Sequence, residues 1–154
     1  MKSQKQSTNK VRRVNEMKMR LPSLSVNESV ARATVAAFCA QMDPRAMELA
    51  DIKCAVSEAV TNCIVHAYRD MPGVIYITVS LYEDRRVRIE IRDHGCGIED
   101  VQVARQPLYT TDAQGERSGM GFTVMESFCD KVRVVSKWGK GTTVTLFKQL
   151  ERRE

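Results

Sequence analysis

Two runs, Val74–Leu81 and Val87–Arg92, alternate apolar and polar residues with period two, and Glu83-Asp84-Arg85-Arg86 joins them. Alternation of this kind turns one face of each strand to a core and the other to water, and the short charged link predicts a hairpin. A second hairpin is predicted near the end of the chain. There Val132–Ser136 and Thr142–Phe147 pair across Trp138-Gly139-Lys140-Gly141.

The layer that covers these strands is helical. Leu49, Ile52, Val56, Val60, Cys63 and Ala67 recur at spacings of three and four and mark the buried face of a long helix over Pro44–Tyr68. An earlier helix carries Val30, Val35, Phe38 and Met42. Ser25 or Asn27 is placed to cap it, with Glu28 at capping-box spacing from Ser25, and Asp43-Pro44 ends it. Residues 17–24 alternate as a half-buried strand, which Pro22 confines to a sheet edge. A short helix over Glu99–Ala104 and another over Gly121–Phe128 flank residues 105–120, which show no periodicity. The order is strand, two helices, two strands, loop, helix, two strands. Hairpin-paired strands with helices on one face predict a two-layer α/β sandwich rather than a dinucleotide-binding sheet.

A chain of 154 residues suits one domain. No apolar run approaches the roughly 20 residues of a membrane span. No apolar segment of a secretory signal opens the chain. Five of the 24 basic residues precede the first acid, Glu16, so the remainder carries 19 acids and 19 bases. That balance argues against direct nucleic-acid binding by the body of the protein. Residues 1–16 read as a polar, basic, disordered leader. The body is expected over 17–149, with a charged tail at 150–154. The five cysteines form no Cys-x-x-Cys pair, and the two histidines, His66 and His94, complete no zinc spacing. Reduced thiols in the cytoplasm fit this pattern. Cys39, Cys54, Cys63 and Cys129 read as small core residues, and Cys96 as a loop residue.

Three polar elements have the composition of a binding site. Glu58 and Asn62 are four apart on the long helix, and His66 extends the row by a turn. A carboxylate, a carboxamide and an imidazole in line suit Mg²⁺ and phosphate, and equally a solvated helix face. Asp93-His94-Gly95-Cys96-Gly97 closes a strand. Its glycines permit close backbone approach to a flat ligand, and its acid is able to accept from an amine such as adenine N6; a plain turn has the same composition. Gly119-Met120-Gly121 opens a helix, where free N–H groups meet phosphate. No strand directly precedes it, so the dinucleotide fingerprint fails. Gly139-Lys140-Gly141-Thr142 is not a P-loop.

Taken as an ordered set, Glu58-x-x-x-Asn62, Asp93-x-Gly95-x-Gly97, Gly119-x-Gly121 and Gly141-Thr142-Thr143 resemble the N, G1 and G2 boxes of the GHKL ATPase/kinase superfamily. The likeness spans about residues 17–149. The stretches Val56–Asn62, Ala104–Thr111 and Glu116–Phe122 are similar to those of the anti-sigma F factor family of endospore-forming bacteria. These are small serine-protein kinases that also act as anti-sigma factors. A general-stress anti-sigma kinase is the second reading.

The resemblance implies a GHKL (Bergerat) sandwich with a mixed, mostly antiparallel sheet and helices on one face. It implies ATP between the long helix and the glycine loops. Asp93 would contact adenine, with Thr142 helping through water. Gly95, Gly97, Gly119 and Gly121 would allow backbone approach. Asn62 would hold Mg²⁺, and His66 would reach phosphate. Residues 105–118, with Thr110 and Thr111, would form a lid over the phosphates, and Arg117 would meet the γ-phosphate. Glu58 would be the base for an incoming serine hydroxyl. Arg32 would contact both a sigma factor (sigma F-like) and a phosphorylatable anti-anti-sigma factor. A homodimer is also implied. A histidine kinase would need an upstream helical hairpin with a phospho-accepting His, and no His precedes His66. A nucleotide-loaded sequestering module without catalysis is the rival from another class, and Glu58 argues against it.

Overall fold

The computed structural model describes residues 10–69, 71–107 and 121–154. Strand β1 (Arg13–Pro22) leads to helix α1 (Asn27–Cys39), a 3₁₀ turn (Ala40–Met42) and helix α2 (Ala46–Asn62). A π-helical turn (Cys63–Ala67) continues α2. The hairpin β2 (Val74–Tyr82) and β3 (Arg86–Arg92) follows. Then come α3 (Val101–Ala104), α4 (Gly121–Phe128) and the second hairpin, β4 (Lys131–Lys137) and β5 (Gly141–Gln149).

The five strands form one sheet in the order β1-β2-β3-β5-β4, and every pairing is antiparallel. The expected two-layer sandwich is therefore present, without the parallel pairing that a mixed sheet would contain. Both predicted hairpins form. In the first, Leu81 faces Val87 and Ile77 faces Ile91. Arg85 turns the chain at φ 67°. On one face Ile75, Ile77, Val79, Leu81, Val87, Ile89, Ile91, Val144 and Leu146 are buried. Helix α2 covers that face with Ile52, Ala55, Val56, Ala59, Val60 and Cys63, flanked by α1 on one side and α4 on the other. Cutting one such isoleucine to alanine typically costs about 2–5 kcal/mol, the scale on which this interface holds the two layers together.

Several local expectations change in the tertiary setting. β1 begins at Arg13, because the first strand residues pair with β2 as far as Tyr82. Pairing, not side-chain alternation, thus brings part of the expected leader into the sheet. The stripe of α1 is Ala31, Val35 and Cys39, while Val30 is 43% exposed. No side chain caps α1. Glu28 instead accepts a hydrogen bond from the Ser57 hydroxyl of α2 and lies 3.8 Å from Arg32. Cys54 is exposed, not core. Two residues from both Ile52 and Val56, it falls on the far side of a 3.6-residue helix. Burial pushes the Cys39 thiol up to about 12 and that of Cys129 to about 11, so both stay protonated.

Helix α2 starts two residues after Pro44, and Glu48 holds that start. Its buried carboxylate accepts from the backbone N–H of Arg45 and of Glu151, each at 2.9 Å. One side chain thereby ties the helix N-terminus to the chain end, and Leu150 beside it is 1% exposed. The segment expected as a charged tail thus opens on an anchored residue. Among the described residues no helix is long and apolar enough to cross a membrane.

Candidate functional site

The site is assembled where α2 ends. At Cys63 the helix widens into a π turn, closed by the Tyr68 N–H donating to Cys63 O at 3.1 Å. Such widenings leave backbone carbonyls aimed away from the helix axis and recur at functional sites. Here Ala67 O accepts from Cys96 N at 3.1 Å, and His66 O accepts from the Cys96 thiol at 3.3 Å. The glycine loop is thus laid against the end of α2. The ideal row that would set His66 above Asn62 ends at the π turn, so the row that α2 itself maintains is Glu58 and Asn62.

The loop glycines are required by the packing of the protein itself. A Cβ on Gly95 would lie 2.3 Å from Ala67 O. At Gly97 the φ is 76°, and a Cβ would lie 2.2 Å from Lys137 O. Glycine is required there so that the loop can pack on protein backbone on both sides, whether or not a ligand is present. Gly139 N donates to Cys96 O at 2.6 Å, joining the loop to the β4–β5 turn.

Asp93, the residue after β3, is 5% exposed and sits at the centre of this packing. Its Oδ1 accepts from Gly95 N at 2.9 Å and from Thr142 N at 3.2 Å. Its Oδ2 lies 3.6 Å from the Cys63 thiol. Burial raises its pKa, and the donors from Gly95, Thr142 and Cys63, with the charge of His94, act in the opposite direction. A carboxylate has about four lone-pair positions. Three are engaged from within, which leaves Oδ2 an acceptor for one outside donor.

Thr142 is tied to Asp93 through its backbone: its N–H reaches the carboxylate, and its O accepts from Asp93 N at 2.9 Å. Its hydroxyl is 2.7 Å from that of Ser136. Ser136 also accepts from Ile98 N at 2.7 Å and bonds Gly141 O at 3.1 Å. Tyr68 is a further support. Its hydroxyl donates to Val74 O at 2.8 Å and accepts from His94 N at 2.7 Å. Sequence reading did not find Ser136, Tyr68 or the Cys63 contact. Cys63 has only the signal of a core residue, and the other two have none.

The remaining predicted elements meet at α4. A Cβ on Gly121 would lie 3.3 Å from Oδ1 of Asn62 and 3.3 Å from Oε2 of Glu58. The start of α4 therefore faces the carboxylate–carboxamide pair of α2. Thr110, Thr111, Arg117 and Gly119 lie outside the described residues. Arg32 is on α1, its side chain 41% exposed, beside the Glu28 that bridges to Ser57. The exposed apolar residues Leu24, Val26 and Val30 precede it.

Among the described residues no three His, Cys, Asp or Glu side chains gather to hold a metal. Asn62 supplies a single neutral oxygen. Such a donor suits Mg²⁺, which takes most of its shell from phosphates and water.

A sheet covered on one face by helices, with a buried acid behind a glycine loop, defines a class. It is the histidine kinase-like ATPase domain, and the model of that family matches residues 21–148. The crystal structure of the RsbU and RsbW domains of a Mycobacterium tuberculosis protein has this fold, with TM-score 0.67 at 24% identity. The match covers 90% of this chain and 33% of that one. The histidine kinase domain of an Erythrobacter litoralis blue-light activated histidine kinase gives 0.54 at 20% identity, over 80% of this chain and 61% of that one.

Within the class, the chain belongs to the anti-sigma F factor family. It is 57% identical over 139 residues to the anti-sigma F factor of Anoxybacillus flavithermus, covering 90% of this chain and 94% of the relative. It is 54% identical over 137 residues to that of Priestia megaterium, covering 88% and 93%.

Proposed function

We propose that this protein binds Mg-ATP, phosphorylates an anti-anti-sigma factor on serine, and sequesters a sigma F-like sigma factor in the cytoplasm as a homodimer. The observation that carries the kinase reading is the convergence of Glu58 and Asn62 on Gly121, beside a buried Asp93. A module that only held nucleotide would have no use for a carboxylate at that point. Likeness to anti-sigma F factors over nearly the whole chain supports the choice of partners.

In this reading Asp93 Oδ2 accepts from the exocyclic amine of adenine, and the glycine loop forms one wall of the base pocket. Asn62 holds Mg²⁺ through its side-chain oxygen, with His66 and Gly121 on the phosphate side. Mg²⁺ supplies charge neutralisation on the phosphates when bound. Gly119, Thr110, Thr111 and Arg117 are assigned to the phosphates by resemblance alone. Glu58 accepts the proton of the incoming serine hydroxyl as its oxygen bonds to the γ-phosphorus and the bond to ADP breaks. Positioning and charge stabilisation carry most of such a transfer. Arg32, on α1, is assigned to the partner-binding surface by resemblance.

The test is incubation of the full chain with Mg-ATP labelled at the γ-phosphate and the anti-anti-sigma protein. Acid-stable label on a serine of that protein is expected. ATP binding without transfer would leave sequestration as the function.

A further inference from the structure

We propose that Cys63 is a positioning residue for base recognition: its thiol donates to Oδ2 of Asp93 and holds the carboxylate so that its remaining acceptor position meets the amine of a 6-aminopurine nucleotide. The proposal rests on the reading of Asp93 as the adenine acceptor and adds a residue to it.

Three observations carry it. Cys63 is 3% exposed and is the first residue of the π turn, so the fold fixes its direction. Its sulfur is 3.6 Å from Oδ2, within the range of a thiol donor. The other carboxylate oxygen already has its two donors, Gly95 N from the loop and Thr142 N from β5. Without Cys63, only donors on one oxygen would orient the group. Rotation about the Cβ–Cγ bond of Asp93 would then be restrained from one side, and Oδ2 would lose the contact from α2. A thiol is a donor and a carboxylate an acceptor, so the bond runs from Cys63 to Asp93.

The contact also explains why a cysteine in an apolar stripe differs from its neighbours. Val56, Val60 and Ala59 fill space against the sheet. Cys63 fills space in the same stripe and, one turn further on, presents the only hydrogen-bond donor from α2 or the π turn recorded on Asp93 among the described residues. Alanine would keep the small volume and remove the donor. Serine would keep a donor on a shorter arm. Valine would fill the site with a slightly larger, β-branched side chain and remove the donor.

The experiment measures the affinity of the full chain for ATP and for purine riboside triphosphate, which lacks the exocyclic amine. Cys63→Ala, Cys63→Val and Cys63→Ser are compared with the parent. The parent is expected to prefer ATP. A thiol is a weak donor, so its loss is expected to weaken ATP affinity by about 2- to 12-fold, the range of an ordinary intramolecular hydrogen bond. That loss should appear in Cys63→Ala and Cys63→Val as a narrowed preference, with purine riboside triphosphate little changed, and Cys63→Ser should restore the preference. If the alanine variant fails to fold, the valine variant supplies the same comparison. An unchanged preference in both donor-free variants would overturn the assignment of Cys63. So would a serine variant no better than alanine, since packing alone would then be at work. A parent with no preference between the two nucleotides would instead remove the adenine reading of Asp93 itself, so the two failures are distinct.

Discussion

A Cβ on Gly121 would stand 3.3 Å from Oδ1 of Asn62, so the first residue of α4 approaches the last of α2 closely enough that a methyl group there would crowd it. Only a hydrogen at Gly121 leaves that approach relaxed. Gly121→Ala should fold, because a contact of this length asks its neighbour to give by only tenths of an ångström. The shift falls on Asn62 and Glu58. We expect ATP affinity and serine phosphorylation to fall together, about tenfold, while thermal stability changes by less than about 1 kcal/mol. Equal activity in the variant would show that the α2–α4 contact has no part in nucleotide binding.

Asp93 links pH to ligand in opposite senses. Its pKa is raised in the folded protein, chiefly by burial. For the protein without nucleotide, its contribution to stability is fully present below the unfolded pKa. That contribution is lost as pH rises through the folded value. Accepting an amine needs the ionised form, so the stabilisation conferred by ATP should shrink as pH falls through the same raised value. Melting temperatures with and without Mg-ATP across the acid range measure both slopes. In Asp93→Asn the ATP-induced shift should be absent at every pH, since an amide nitrogen facing the ligand would oppose the amine.

Glu58→Gln should keep ATP binding and sigma-factor binding and lose serine phosphorylation by about 10²- to 10⁴-fold, the usual contribution of a positioned base. The amide keeps the shape beside Gly121 and cannot take the proton. Single-turnover transfer of labelled phosphate reads the loss directly. A variant with parental transfer rates would leave Glu58 with a role in orientation alone.

Arg32→Ala should weaken both protein partners without changing ATP affinity. The side chain is half in solvent and pairs with Glu28 at 3.8 Å, a contact worth at most about 1 kcal/mol to the fold. Its removal therefore should not unfold α1. Titration of labelled sigma factor against parent and variant measures the effect, and equal binding would move the partner surface elsewhere, with the exposed Val26 as the next residue to change.

What could be read without the fold follows from how local each signal is. Val74–Tyr82 and Arg86–Arg92 form where alternation places them, because a half-buried strand must alternate. Helix α4 has the expected bounds, Gly121–Phe128. The polar elements could be recognised as a set because glycine and acid spacings survive in the linear order of the chain. The sequence by itself thus determined the two layers and the identity of Glu58, Asn62, Asp93 and Gly121 as candidates.

The tertiary structure decided what each candidate touches. Asp93 takes its donors from Cys63, Gly95 and Thr142, two of them distant in the chain, so no local pattern announces the cluster. Gly95 and Gly97 had the look of ligand-facing glycines, yet the atoms that forbid a side chain there are Ala67 O and Lys137 O. Glu28 had capping-box spacing and was drawn to Ser57 once α1 lay on α2. Periodicity records only which face of an element is buried. Hydrogen-bond partners across 30 or 49 residues are chosen when the layers pack, since a buried donor or acceptor must then find whichever group the fold has brought within reach.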